Sequence, residues 1–111
     1  MNFDGSCTKR TARAGVWIHN TESDYVESHA CNLHFKCTNN IAKYEALILG
    51  LNLLIKLGAR RINMRGDSEL IIKQVNGEYT TKHPRLRAYM NDTMDLLKTF
   101  IEYDLVFVPR G

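Results

Sequence analysis

Asp4 and Asp67 are the residues of this chain whose placement most invites a chemical reading. Asp4 falls inside Asn2-Phe3-Asp4-Gly5-Ser6-Cys7, whose alternation reads as a strand with Asp4 and Ser6 on one face and Phe3, Gly5 and Cys7 on the other. A carboxylate inside a strand is costly unless water, a metal or a cation meets it. Asp67 stands where Arg61-Ile62-Asn63-Met64-Arg65, a short strand, gives way through Gly66-Asp67-Ser68 to a helix. Strand ends are where open α/β sheets gather ligands. Each acid also has a plainer reading, Asp4 as an edge-strand residue facing water and Asp67 as a helix N-cap. On adjacent central strands, the pair could share a divalent cation of the oxygen-preferring kind, such as Mg²⁺.

The elements that would position these acids follow from periodicity. Gly15-Val16-Trp17-Ile18-His19 is β-branched and aromatic, and Asn20-Thr21-Glu22-Ser23-Asp24 is a turn cluster. From Glu27 to Phe35 the residues alternate with period two, so the first three strands are predicted to form an antiparallel meander. After Thr38-Asn39-Asn40, which offers N-cap chemistry, Tyr44, Leu47, Ile48, Leu51, Leu54 and Ile55 recur at helical spacing, with Gly58 at the exit. A second helix carries Leu70, Ile71 and Val75 and stops at Asn76-Gly77. Pro84 opens a third, with Leu86, Tyr89, Met90, Leu97 and Phe100 on its apolar side, and Asp104 to Val108 is the last strand. The order βββαβααβ predicts an α/β fold: a mixed sheet, meander plus parallel strands, flanked by helices.

At 111 residues, 44% hydrophobic and 24% charged, the chain has the size and composition of one globular domain, which excludes disorder, collagen and coiled coil. The longest apolar-rich stretch, Ala46 to Leu57, is broken by Gly50, Asn52 and Lys56 and is too short to span a bilayer. The first residues do not form a signal peptide, and three cysteines without framework spacing suggest free thiols. An intracellular domain, cytoplasmic or nuclear and without a membrane partner, is therefore expected. The net charge of +3 is weak evidence for a polyanionic partner. Its clusters, Lys9/Arg10/Arg13, Arg60/Arg61/Arg65 and Lys82/Arg85/Arg87, fit either a solvated face or such a partner.

Four segments together resemble a known family. Phe3-Asp4-Gly5-Ser6, then Thr38-Asn39-Asn40-Ile41-Ala42-Lys43-Tyr44-Glu45-Ala46-Leu47, then Gly66-Asp67-Ser68-Glu69-Leu70-Ile71-Ile72, then Val108-Pro109-Arg110 resemble the type-1 ribonuclease H family. The likeness is strongest to domains encoded by plant long-terminal-repeat retrotransposons. It implies a ribonuclease H-like fold with a five-stranded sheet, and endonucleolytic cleavage of the RNA strand of an RNA–DNA hybrid. It also implies two Mg²⁺ ions held by an Asp-Glu-Asp-Asp set, one activating a water and the other stabilising the leaving oxygen. Carried over by position, Asp4 and Asp67 match the first and third acids as catalytic and metal-binding residues. Gly5, Ser6, Asn39 and Asn40 match positions that lie against the hybrid, where Asn amides can meet a 2′-hydroxyl.

Two departures matter more than the matches. The family motif reads Asn-Asn-x-Ala-Glu-Tyr, and Lys43 stands at the position of its Glu. Glu45 does not replace it. At 100° per residue the apolar face of the helix is centred roughly 80° from Lys43 and roughly 120° from Glu45, which puts Glu45 toward solvent. At an effective dielectric near 20, each unit charge pair at about 4 Å is worth roughly 4 kcal/mol, so an ammonium in place of a carboxylate is expected to weaken Mg²⁺ binding by orders of magnitude. The family's fourth acid would come after Gly111. Residues 1–111 are accordingly expected to form a single domain, clipped at its N-terminus and lacking the C-terminal helix. The expected function is hybrid cleavage impaired in this copy. The alternative is a non-catalytic nucleic-acid-binding or tethering domain of a retroelement polyprotein, in either case otherwise monomeric.

Other signals carry less. Cys31-x-x-His34-x-x-Cys37 suggests zinc, but positions 31 and 34 of a strand face opposite sides and cannot share a tetrahedral ion. Cys7, Trp17 and Tyr44 are expected in the core and His83 at the surface.

Overall fold

The computed structural model describes residues 1–7, 12–20, 25–33 and 39–109, without the side chains of Ser6, Cys7, Ala12, Arg13, Tyr25 and Cys31. Alternation of apolar and polar residues builds β1 (Asn2–Cys7), β2 (Ala12–Asn20) and β3 (Tyr25–Asn32), and the change to helical period builds α1 (Asn39–Lys56). There follow β4 (Arg61–Gly66), α2 (Glu69–Val75), α3 (Pro84–Leu97) and β5 (Glu102–Phe107). The order βββαβααβ expected from the sequence is the order observed.

The strands form one five-stranded sheet in the order β3-β2-β1-β4-β5. The three-strand meander is antiparallel, with Phe3 opposite Val16 and Gly5 opposite Ala14. β4 joins β1 in parallel, Phe3 beside Gly66, and β5 joins β4 in parallel. The mixed sheet thus places β1 and β4 side by side at its centre.

Burial follows the same periodicities. Phe3, Val16, Ile18, Ile62, Met64 and Leu105 of the sheet meet Tyr44, Leu47, Leu51 and Leu54 of α1 in one hydrophobic core, joined by Ile71 and Leu97. In β4 the alternation is strict: Ile62, Met64 and Gly66 are buried, and Arg61, Asn63 and Arg65 exposed. α1 leaves through Gly58, whose φ of +79° is the left-handed turn glycine adopts without penalty, and the Ala59 N–H donates back to the Leu54 carbonyl.

Three local expectations change. Tyr44 is fully buried, but Trp17 is 52% exposed. Its strand neighbours Val16 and Ile18 take the helix side, and strand parity sends Trp17 to the opposite face, over Gly15. β3 ends at Asn32, short of the predicted Phe35, which lies outside the described residues. β5 begins at Glu102, earlier than predicted, because Glu102 already pairs with Arg61. Among the described residues, no helix is long and apolar enough to cross a membrane.

Candidate active site

Parallel pairing of β1 with β4 brings the two aspartates together. Asp4 and Asp67 each follow the paired residues Phe3 and Gly66 by one position. α1 crosses β1 at close range because Gly5 has no side chain: a Cβ there would lie 2.2 Å from the carbonyl carbon of Ala42 and 2.5 Å from the Lys43 nitrogen. This approach delivers the Lys43 side chain to the acids. Lys43 Nζ donates to Asp4 Oδ1 at 2.9 Å and to Asp67 Oδ1 at 2.7 Å.

The three side chains are partly shielded, with 16% of Lys43, 30% of Asp4 and 19% of Asp67 exposed. Burial alone would lower the Lys43 pKa. The hydrogen bonds to Asp67 and Asp4 and their negative charges outweigh it, holding the ammonium above its ordinary value. Asp4 Oδ1 also accepts from the Gly5 N–H at 2.8 Å, which fixes the carboxylate. The alternative role for Asp67, capping α2, is filled by Ser68. Ser68 is extended at φ −104° and its hydroxyl accepts from the Ile71 N–H.

Glu45 is directed elsewhere. It lies on the side of α1 that faces α3 and accepts a hydrogen bond from the Tyr89 hydroxyl. Helical-wheel geometry predicts an open surface for Glu45. It is half-buried instead, because α3 packs on that flank. Beneath it the Tyr44 and Tyr89 rings stack with centroids 5.9 Å apart, and the Tyr44 hydroxyl donates to Gln74 Oε1 at 2.7 Å. Sequence reasoning missed this group. Tyr89 was legible as apolar-side, but nothing local ties it to residues 44 positions away.

Asn39 and Asn40 begin α1, one turn before Lys43, and their spacing of four and three residues puts them on its face. Gly5 is buried beneath the helix, and Ser6 follows it in β1. His83, expected at the surface, is exposed and has a further role: its Nδ1 accepts from the Leu86 N–H as the N-cap of α3. Lys82, Arg85 and Arg87 are exposed around the same helix start. Lys9 and Arg10 lie outside the described residues, as do His34 and Cys37 of the set-aside zinc pattern and the side chains of Cys7 and Cys31. A separate groove at the opposite end of the sheet, lined by residues such as Met1, Leu54, Arg60 and Ile101, contains none of the candidate site residues.

The donor set does not suit a pair of divalent ions. Mg²⁺ takes near-octahedral oxygen ligands at about 2.0–2.1 Å. Here two carboxylates converge on an ammonium, and among the described residues no group of three His, Cys, Asp or Glu side chains could hold a metal. The expectation of Asp4 and Asp67 as metal ligands therefore meets a site whose cation position is taken by Lys43 Nζ.

The chain and its fold have counterparts in known proteins. A family model described as reverse transcriptase-like matches residues 2–111. The chain belongs to the reverse transcriptase-like family. It carries the ribonuclease H fold: the crystal structure of ribonuclease H1 from Halobacterium salinarum superposes with a TM-score of 0.91 at 32% identity, covering 98% of this chain and 83% of that one. A ribonuclease H1 solved in complex with an RNA/DNA hybrid superposes with a TM-score of 0.86 at 28% identity, covering 98% and 83%. Among curated proteins, the ribonuclease HI of Halobacterium salinarum is 32% identical over 110 residues, which are 98% of this chain and 55% of that protein. The family domain described here thus spans little more than half the length of that relative.

Proposed function

We propose that this domain is an RNA–DNA hybrid ribonuclease by descent, of the retroelement kind its motifs resemble, in which hydrolysis is impaired by Lys43. The observation that carries the reading is the Lys43 ammonium seated between Asp4 and Asp67, at the position where the family motif has a glutamate. Membership of the family and likeness to a ribonuclease H1 that binds an RNA/DNA hybrid support the substrate class. Within the site, Gly5 lets α1 approach, Asn39 and Asn40 offer amides to a 2′-hydroxyl, and Asp4 and Asp67 are the surviving acids.

Lys43 opposes hydrolysis in two ways. It occupies the space between the acids, and its positive charge repels a divalent cation across a partly shielded gap. Among the described residues, the Mg²⁺ pair that the family would use to activate water and stabilise the leaving oxygen finds no adequate donor set. A second reading, a non-catalytic nucleic-acid-binding or tethering domain of a retroelement polyprotein, is favoured by the same ammonium, because two engaged carboxylates are of no use to a metal.

The deciding experiment is incubation of the purified chain with a labelled RNA–DNA hybrid and Mg²⁺. Little or no RNA-strand cleavage is expected from the wild type, and a gain from Lys43→Glu. Robust wild-type cutting that disappears in Asp4→Asn would overturn the impairment.

A further inference from the structure

We infer that Lys43 is a built-in counter-ion that lets this cleft hold the phosphate backbone of an RNA–DNA hybrid with no divalent cation present. The inference deepens the proposed function and rests on it. Two carboxylates facing a polyanion repel it, and a cation held between them relieves that repulsion. In this chain the cation is covalent. Lys43 Nζ lies within 3 Å of both acids, reducing the local charge from two negative units to one without any metal.

The ammonium is also placed to touch the ligand. A lysine has three N–H donors, and Asp4 and Asp67 engage two. The third can donate to a phosphate oxygen, because the side chain remains 16% exposed. Asn39 and Asn40 share the Lys43 face of α1, one turn nearer its N-terminus, where backbone N–H groups favour anions. Lys43 is held rather than mobile, since the two aspartates and the Gly5–α1 contact fix both ends of its reach. A pre-positioned donor loses little freedom on binding. The residue that hinders hydrolysis thereby becomes a binding residue.

Fluorescence anisotropy with a short fluorescein-labelled RNA–DNA hybrid tests this, in EDTA and in Mg²⁺ at matched ionic strength. Wild-type affinity should agree between the two conditions within about twofold. Lys43→Glu should bind at least about tenfold more weakly in EDTA and regain affinity in Mg²⁺, because its third carboxylate restores the need for a cation. Lys43→Gln, which adds no acid, should lose affinity in EDTA by a smaller factor, and circular dichroism establishes that each variant is folded. A wild type that loses about tenfold or more in EDTA overturns the inference by itself, whatever the variants do. So does a folded Lys43→Glu that binds as tightly as wild type in EDTA. Absence of wild-type hybrid binding in both conditions would instead remove the proposed function on which the inference stands.

Discussion

Lys43→Met separates the charge of the bridging residue from its packing, since methionine keeps an unbranched stem and loses the ammonium. In the wild type, Asp4 Oδ1 and Asp67 Oδ1 lie 2.9 and 2.7 Å from Nζ, so the two oxygens are less than about 6 Å apart. Without the ammonium their repulsion is at least about 3 kcal/mol at an effective dielectric near 20. Partial exposure of both carboxylates, 30% and 19%, lets solvent screen some of this. The expected loss of stability is about 2 kcal/mol, below the 3–5 kcal/mol typical when one partner of a fully buried pair is removed. For a domain of this size that is a fall in Tm of roughly 10 °C. Thermal melts in EDTA read it directly. Adding Mg²⁺ should return part of the loss in the variant, about 1.4 kcal/mol at tenfold over its Kd, and should leave the wild type unmoved. A variant that melts at or above the wild type in EDTA would show that Lys43 offsets no repulsion. The built-in counter-ion would then be wrong.

Other substitutions probe the supports of the site. Gly5→Ala places a Cβ 2.2 Å from the Ala42 backbone, so α1 must move off β1; a loss of about 1–3 kcal/mol is expected in denaturant melts, with a longer Lys43–Asp4 separation in a structure of the variant. Ser68→Ala removes the α2 cap at Ile71 and should cost about 1 kcal/mol, measurable by urea unfolding. Tyr44→Phe leaves Gln74 Oε1 without its hydroxyl donor and should cost about 1–2 kcal/mol in the same assay. Burial raises the Tyr44 pKa above the ordinary 10.0, so the unfolded chain ionises first. Wild-type stability from this group is full below about pH 10 and is lost as pH rises further, and Tyr44→Phe should flatten that decline.

The parts of the fold that sequence could reach were those governed by a single local period. The six apolar residues from Tyr44 to Ile55 mark α1 because one helical stripe faces the sheet, and Gly58 ends it through a local dihedral. The mixed sheet was accessible because a meander followed by crossover helices leaves few arrangements. Trp17 departs from the core expectation because parity outweighs residue type: Val16 and Ile18 fix the buried face, and an aromatic between them has to point the other way. The candidate site divides along the same line. Asp4, Lys43 and Asp67 were identifiable as residues, but their meeting depends on the Phe3–Gly66 register and on the Gly5 approach, both long-range. The Glu45–Tyr89 bond depends on where α3 lands on α1, which no local pattern encodes.

The size of the cation position has a further consequence for reversion. An ammonium nitrogen sits 2.7–2.9 Å from its carboxylate oxygens, whereas Mg²⁺ requires about 2.0–2.1 Å. The aspartate oxygens would have to move inward by about 0.6–0.9 Å to serve a metal at the same centre. Asp4 resists, because its Oδ1 is also held by the Gly5 N–H and its strand is pinned beneath α1. Asp67 is the easier of the two to shift, since it lies just past the end of β4 and before the Ser68 cap. Lys43→Glu is therefore expected to draw Asp67 toward Asp4 when Mg²⁺ is added, with β1 stationary. Amide chemical shifts in a Mg²⁺ titration of that variant should change most at Gly66–Ser68 and least along Asn2–Gly5. Equal movement on both strands would mean that Gly5 does not anchor the site.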